Sequence, residues 1–288
     1  MDQPRLHRIN PAIWVSVIAL CLAGLMSYFL LDERTFSWFR DHPSTWPKNS
    51  WVKAIRGFGG AWVLIWLLLN WVCATGRQRP ALAGLLALLL IAPTVCTLKP
   101  LVHRPRPREV IAAATKTEKA EYNNGPSWNL SFPSGDTAVV FAAATAIVPF
   151  VRWPWGLFFF SIASSVGIMR VVVLAHYPSD VFAGAVIGIF SGWLALQITS
   201  RWLSRFNLRL GHAAVGAIFV PVLFGLIKGI NELLTFLKTY GVLVVGIYII
   251  AKGGAWLKRL RRHDFCGYFK ATEGTENTER NQKSKCKM

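Results

Sequence analysis

Long apolar runs without charged residues recur along the chain, separated by short polar segments. The first run, residues 11–31, carries no charged side chain over 21 residues. A helix needs about 20 predominantly apolar residues to cross a bilayer. This run also lacks a clear small-residue cleavage site, so we interpret it as a retained span and not as a signal peptide. The same pattern predicts membrane helices at residues 11–31, 54–75, 81–98, 134–151, 155–175 and 181–200, with two weaker candidates at 213–231 and 239–257.

The composition supports a membrane protein and excludes several other classes. Of the 288 residues, 53% are hydrophobic and 16% are charged, whereas soluble domains carry about 25% charged residues. The apolar content excludes a disordered chain. Five cysteines in a chain of this length exclude a disulfide-stapled mini-protein. A basic nucleic-acid-binding domain would not tolerate so much aliphatic surface. We therefore predict an all-α, polytopic membrane helix bundle.

The net charge of +18 is distributed unevenly between the predicted loops. Cytoplasmic loops of membrane proteins are enriched in Lys and Arg. With eight spans, the basic segments at 77–79, 201–209 and 258–262 fall on one side, which we assign to the cytoplasm. The loop 99–133 is also basic but falls on the opposite side. Its charge therefore needs a chemical explanation.

Ionisable side chains beside the predicted spans form three clusters on this second side. Such side chains are costly at a membrane, so each is a candidate functional residue. Between Glu121 and Glu232 the only acids in the sequence are Asp136 and Asp180, and each begins an apolar helix. The three clusters are Lys99–Arg108 after span three, Ser131–Thr137 at the start of span four, and Arg170–Asp180 between spans five and six.

These clusters contain the residue types that phosphoryl transfer requires. Pro133 followed by Ser, Gly and Asp is typical of a helix start, and free N–H groups at a helix N-terminus bind phosphate. Lys and Arg side chains can neutralise a phosphoryl group, which needs mainly positioning and charge compensation. His176 with Asp180 behind it can attack phosphorus, because histidine is a competent covalent nucleophile.

The ordered set of motifs resembles the type-2 phosphatidate phosphatase (PAP2) family, the membrane relatives of vanadium haloperoxidases. That family has three motifs, Lys-x6-Arg-Pro, Pro-Ser-Gly-His and Ser-Arg-x5-His-x3-Asp. The matching residues here are Lys99, Arg106 and Pro107; Pro133, Ser134 and Gly135; and Arg170, His176 and Asp180. The sequence departs from the pattern at Met169, where the family usually has Ser, and at Asp136, where it has His. The resemblance covers about residues 51–200.

The resemblance implies a role for each matching residue. His176 would attack phosphorus and carry a phosphohistidine, and Asp180 would orient it. The phosphate would be bound by Lys99, Arg106, Arg170, Ser134 and Gly135. No metal or other cofactor is expected, since cations of the protein supply the charge. Similar enzymes act on lipid phosphates at the extracytoplasmic face, which implies a bacterial-type inner membrane and a site facing the periplasm.

Asp136 changes what the site is expected to do. The family's His at this position gives a proton to the leaving oxygen, whereas a carboxylate beside cations stays ionised and is a poor acid. Three alternatives follow: a leaving group that needs little help, another acid such as His103, or an inactive site in which Asp136 pairs with Arg104 or Arg108. A lipid diphosphate such as undecaprenyl diphosphate has a good leaving group. We favour it as the substrate.

Two further functions remain open at this stage. A phosphotransferase that passes phosphate to another lipid, such as lipid A, would use the same residues. A non-catalytic transporter or scaffold for anionic lipid would not need His176. For Arg104 and Arg108, contact with lipid headgroups and contact with an outer phosphate of the substrate are equally supported. Partners are expected to be a lipid phosphate or diphosphate and the membrane, with no nucleic acid, and a homodimer is one role for the extra helices.

The predicted organisation has four parts. A six-helix phosphatase core carries the three motifs, and two C-terminal transmembrane helices follow it. The parts are residues 1–50, the first helix and an extracytoplasmic loop; 51–210, the core; 211–257, the two additional helices; and 258–288, a basic cytoplasmic tail expected to be disordered.

Overall fold

All the elements in the described part of this computed structural model are helices. The description covers residues 11–42, 55, 59–76, 78–115, 130–151, 153–201, 216–217, 220–221, 234, 236–241 and 244–249. In chain order the main helices are α1 Pro11–Leu30, α2 Asp32–Asp41, α3 Ala61–Thr75, α4 Arg79–Val102, α5 Pro107–Thr115, α6 Gly135–Ile147, α7 Trp153–Val172 and α8 Pro178–Arg201. A single 3₁₀ turn, Val148–Phe150, extends α6.

The prediction of a helical membrane bundle is confirmed. Among the described residues, three helical segments are long and apolar enough to cross a membrane: Arg79–Ile111, Trp153–Val172 and Pro178–Arg201. A fourth is present if α1 and α2, which bend by 52° where they meet, form one span. The predicted second and fourth spans are shorter apolar helices, α3 and α6. Most of the two C-terminal candidate spans and all of residues 258–288 lie outside the described residues.

Helix α8 lies at the centre of the bundle and packs against α1, α4 and α6. Its contact with α6 is unusually close because three glycines face α6 at four-residue spacing. A Cβ atom added at Gly184, Gly188 or Gly192 would lie 2.4–2.7 Å from a backbone carbonyl oxygen of α6 or of Ser134, which caps it. Small residues at this spacing let membrane helices approach closely. The seam therefore determines where the first turns of α6 and α8 lie relative to each other.

Substitution of Gly188 tests the importance of this seam. Gly188→Ala should destabilise the protein by about 1–3 kcal/mol, the usual cost of overpacking, although Ala is the better helix former. The reason is that its Cβ would lie 2.4 Å from the Ala138 carbonyl oxygen. The control is Gly241→Ala, because nothing lies within 4 Å of a Cβ there. Thermal unfolding in detergent should show a lower Tm for the first variant only, and equal Tm values would refute the role of the seam.

Candidate active site

Four helix ends meet at one end of the bundle and bring the three sequence clusters together. The Lys99 ammonium near the end of α4 donates a hydrogen bond to the Leu130 carbonyl oxygen. The Ser134 N–H, just before α6, donates to the Asp180 carbonyl oxygen in α8 at 3.1 Å. Arg170, in the last turn of α7, forms an ion pair with Asp136 in the first turn of α6 at 2.8 Å. Residues predicted from separate motifs therefore form one site.

His176 is held in a defined orientation at the centre of this site. Only 3% of the residue is exposed. Its Nδ1 lies 2.6 Å from the Ser131 carbonyl oxygen, and a carbonyl can only accept a hydrogen bond. Nδ1 must therefore carry a proton, so in the neutral ring the lone pair lies on Nε2. Nε2 lies 3.5 Å from Nη2 of Arg170 and is thus the ring atom next to this guanidinium.

The surroundings keep the His176 ring neutral. Burial lowers its pKa well below the usual value of 6.5, and repulsion from Arg170, Arg106 and Lys99 lowers it further. The hydrogen bond to the Ser131 carbonyl opposes this shift but does not reverse it. A neutral imidazole with its lone pair on Nε2 is the form that can act as a nucleophile.

Asp180 supports His176 less directly than the sequence suggested. Its carboxylate lies 3.9 Å from Nδ1 of His176, beyond hydrogen-bond distance. The carboxylate instead accepts hydrogen bonds from the Ser131 hydroxyl, from the Tyr177 N–H at 2.8 Å and from Arg104 at 2.9 Å. Asp180 therefore positions Ser131, and the Ser131 carbonyl positions the ring.

Three cations lie around His176, as the motifs predicted. Lys99 is 8% exposed, and Arg106 and Arg170 are half-buried. All three act electrostatically on the ring. Together they make the surroundings of the ring positive, and Arg170 brings this charge to within 3.5 Å of Nε2.

Asp136 partly compensates this positive charge. Its carboxylate is bound to Arg170, and its side chain is 35% exposed. Gly59, just before α3, lies against it, because a Cβ added there would be 2.4 Å from the Asp136 Cβ. The pairing expected for an inactive site, with Arg104 or Arg108, is not the one formed. Asp136 is instead part of the cationic cluster around His176, through Arg170.

The N-terminus of α6 supplies backbone donors to the same site. The first helical hydrogen bond is accepted by the Ser134 carbonyl from Ala138. The N–H groups of Gly135 and Asp136 precede that bond and resemble the orphan donors that bind anions at helix starts. The Ser134 hydroxyl is fully buried and lies 2.8 Å from the Thr137 hydroxyl.

The structure shows functional residues that the sequence prediction missed or placed elsewhere. Ser131 was recognised only as the start of a cluster, and Asp32 was not considered. Arg104 was expected at a headgroup or phosphate, but its guanidinium lies between Asp32 and Asp180. The only sequence signal for Asp32 was a carboxylate directly after a long apolar run. His103, the alternative proton donor, has an exposed side chain and ends α4 in a left-handed conformation.

The neutral state of His176 makes stability depend on pH. Its pKa is lower in the folded than in the unfolded protein, so the unfolded state binds more protons as the pH falls through 6.5. We expect a His176→Asn variant, whose amide can still donate to the Ser131 carbonyl, to lose less Tm between pH 7.5 and pH 5 than the unmodified protein. Thermal unfolding across this range measures the difference. Parallel Tm curves for the two proteins would contradict a buried neutral ring.

Comparison with known proteins confirms the resemblance found in the motifs. Residues 80–204 match the PAP2 superfamily. A segment of 94 residues, 31% of the chain, is 42% identical to lipid A 1-phosphatase of Porphyromonas gingivalis and covers 21% of that protein. A segment of 112 residues, 38% of the chain, is 32% identical to lipid A 4'-phosphatase of Bacteroides thetaiotaomicron and covers 48% of it.

The chain thus spans about a fifth and about half of the length of these two relatives. Among solved structures, it is similar to the crystal structure of Aquifex aeolicus LpxE. That match has 27% identity and a TM-score of 0.46, and it covers 58% of this chain and 95% of the other.

Proposed function

From the match of residues 80–204 to the PAP2 superfamily, we propose that the protein is a membrane lipid phosphatase. The observation that carries the proposal is the neutral His176 ring, whose Nε2 lies 3.5 Å from Arg170 and whose pKa is also lowered by Arg106 and Lys99. A nucleophile in this form and an anion site beside it are the two parts that phosphoryl transfer needs. The curated relatives named as lipid A phosphatases support a lipid phosphate as the substrate.

The proposed reaction has two steps. Nε2 of His176 attacks phosphorus, a P–N bond forms, and the P–O bond to the lipid breaks, so the lipid leaves with the bonding electrons. Water then attacks the phosphohistidine and releases inorganic phosphate, and the electron pair of the P–N bond returns to Nε2. Lys99, Arg106 and Arg170 stabilise the charge on the non-bridging oxygens in both steps. The Gly135 N–H adds a hydrogen bond at the start of α6.

Asp136 bears on which lipid is cleaved. Its carboxylate forms an ion pair with Arg170 at 2.8 Å, and a carboxylate held by a guanidinium is a poor proton donor to a leaving oxygen. The leaving group of a monophosphate ester is an alkoxide, which needs that proton. The leaving group of a lipid diphosphate is the lipid monophosphate, which can leave without a proton. We therefore propose a lipid diphosphate, of which undecaprenyl diphosphate is one example. The names of the relatives instead favour lipid A phosphates, so both classes must be compared.

We also propose that the site faces the extracytoplasmic side of a bacterial-type inner membrane. The site residues gather at one end of the bundle, at the C-terminal ends of α4 and α7 and the N-terminal ends of α6 and α8. By the distribution of Lys and Arg in the loops, that end is opposite the cytoplasmic face. Substrate headgroups would then be reached from the outer leaflet.

A substrate panel on the purified protein tests the proposed function. We expect phosphate release to be faster from a polyprenyl diphosphate than from phosphatidate or lipid A. His176→Ala should abolish release from all three, because the nucleophile is lost. Asp136→His should raise monoester hydrolysis by about tenfold or more, since a general acid contributes 10²–10⁴-fold. Faster release from phosphatidate or lipid A by the unmodified protein would refute the diphosphate preference.

His103→Gln is the matched control for the proton donor. If the diphosphate leaves unaided, this variant should release phosphate from it at the unmodified rate. A loss confined to the monoesters would instead identify His103 as their acid. Full activity of His176→Ala on every substrate would refute the phosphatase itself.

A further inference from the structure

A buried ionic cluster links α2 to the first turn of α8, directly behind the site. We call it the α8 cap cluster; it consists of Asp32, Arg104, Ser179 and Asp180. Asp32 is 3% exposed and Asp180 is fully buried. Nη2 of Arg104 lies 2.7 Å from Asp32, and Nη1 of the same guanidinium lies 2.9 Å from Asp180. One arginine therefore compensates two buried carboxylates.

Asp32 also caps α8 from another helix. Its Oδ1 accepts a hydrogen bond from the Ser179 N–H at 3.0 Å, and its Oδ2 accepts one from the Ser179 hydroxyl. The N–H groups of the first helical turn have no partner within their own helix, and a carboxylate there is also favoured by the helix dipole. Asp32 thus ties the start of α2 to the turn that carries Asp180.

The cluster leads to the nucleophile through a continuous series of contacts. Arg104 holds one oxygen of Asp180, and the other oxygen accepts from the Ser131 hydroxyl. The Ser131 carbonyl binds Nδ1 of His176, and the Ser131 N–H donates to the Arg104 carbonyl at 2.7 Å. The Arg104 guanidinium is stacked on Tyr177, 3.8 Å from the ring centroid, so its position is well determined.

We propose that Asp32 is a positioning residue for His176, acting through Arg104 and Asp180. Asp32 lies outside residues 80–204, so helices α1 and α2 complete a site whose motifs are all elsewhere. The effect on turnover rests on the proposed phosphatase function, whereas the effect on the His176 ring does not. Asp32 contacts none of Lys99, Arg106 or Arg170 in the described structure, so its loss should disturb the nucleophile more than phosphate binding.

The test compares Asp32→Asn with Asp41→Asn in the full chain in detergent. Asp41 is an exposed carboxylate of the same helix, paired only with Arg40 among the described residues. We expect Asp32→Asn to lower kcat on the most active substrate of the panel about 10²-fold, the effect of a misplaced reacting group, while KM changes less than about twofold. Asp41→Asn should change neither. Equal kcat values for Asp32→Asn and Asp41→Asn, or a rise in KM as large as the loss in kcat, would overturn the proposal.

A second measurement does not depend on phosphatase activity. Diethyl pyrocarbonate reacts with a neutral imidazole, and mass spectrometry of the peptide containing His176 gives the rate. The ring is 3% exposed, so we expect labelling to become several-fold faster when Asp32→Asn releases it. Labelling at the same rate in Asp32→Asn, Asp41→Asn and the unmodified protein would overturn the positioning role. If labelling differs as expected but no lipid phosphate is cleaved by the unmodified protein, only the proposed function fails.

Two further variants separate positioning from simple loss of folding. Ser179→Ala removes one hydroxyl of the cluster and should give a smaller effect of the same kind, so it serves if Asp32→Asn does not fold. Arg104→Gln should lower kcat, and adding Asp32→Asn to it should lower kcat little further, because both act through one contact. Additive losses would show that Asp32 acts independently of Arg104 and would refute the proposed route.

Discussion

The burial of Asp180 is the constraint on which the site depends. A carboxylate out of contact with water is costly unless its oxygens are bonded and its charge is compensated. Asp180 satisfies this requirement with Arg104, the Ser131 hydroxyl and the Tyr177 N–H. These donors come from the segments after α4, before α6 and before α8. Compensation of one charge therefore requires that all three sequence clusters meet at the same place.

The close contact of α6 and α8 makes this arrangement possible. Gly184 lies against the Ser134 carbonyl, within a distance that excludes a side chain, and the Ser134 N–H donates to the Asp180 carbonyl. With the two helix starts held together, the charge of Asp180 and the anion-binding N-terminus of α6 lie side by side. The close packing of the glycines of α8 against α6 thus determines how the polar residues at the starts of these two helices are placed. Such an effect is expected because protein interiors are closely packed, so the side chains of a bundle can adopt few alternative positions.

Much of this could be predicted from sequence. Apolar runs predicted the six apolar helices up to residue 201, α1, α3, α4, α6, α7 and α8, but not the shorter, more polar α2 and α5, because hydropathy and length decide whether a segment is a membrane helix. The motifs indicated Lys99, Arg106, Arg170 and His176, because charged residues beside spans are costly and hence informative. Contacts between distant segments could not be predicted. Nothing in the spacing of His176 and Asp180 shows that a carbonyl, at Ser131, binds the ring.

The contacts of Asp32 and Arg104 could not be predicted from the sequence either. Each is a charged residue at the end of an apolar helix, where an interfacial position in contact with headgroups is the ordinary expectation. Arg104 instead binds both Asp32 and Asp180, and Asp32 accepts from Ser179 at the start of α8. Only the packing of α1 and α2 against α8 reveals these contacts. A sequence motif contains residues that are close together in the chain. The charge of a buried carboxylate can instead be compensated by a residue from a distant segment, and a motif does not reveal that residue.

The combination of a backbone acceptor behind His176 and a carboxylate beside Arg170 gives the site its electrostatic character. If Asp180 bound Nδ1 directly, its charge would favour a protonated ring. With the Ser131 carbonyl in that place and cations in front, the ring stays neutral and its lone pair faces the anion site. Asp136 then offsets one of the three cations. A phosphate dianion would therefore meet a site whose positive charge is reduced on the Arg170 side, where Asp136 already binds the guanidinium.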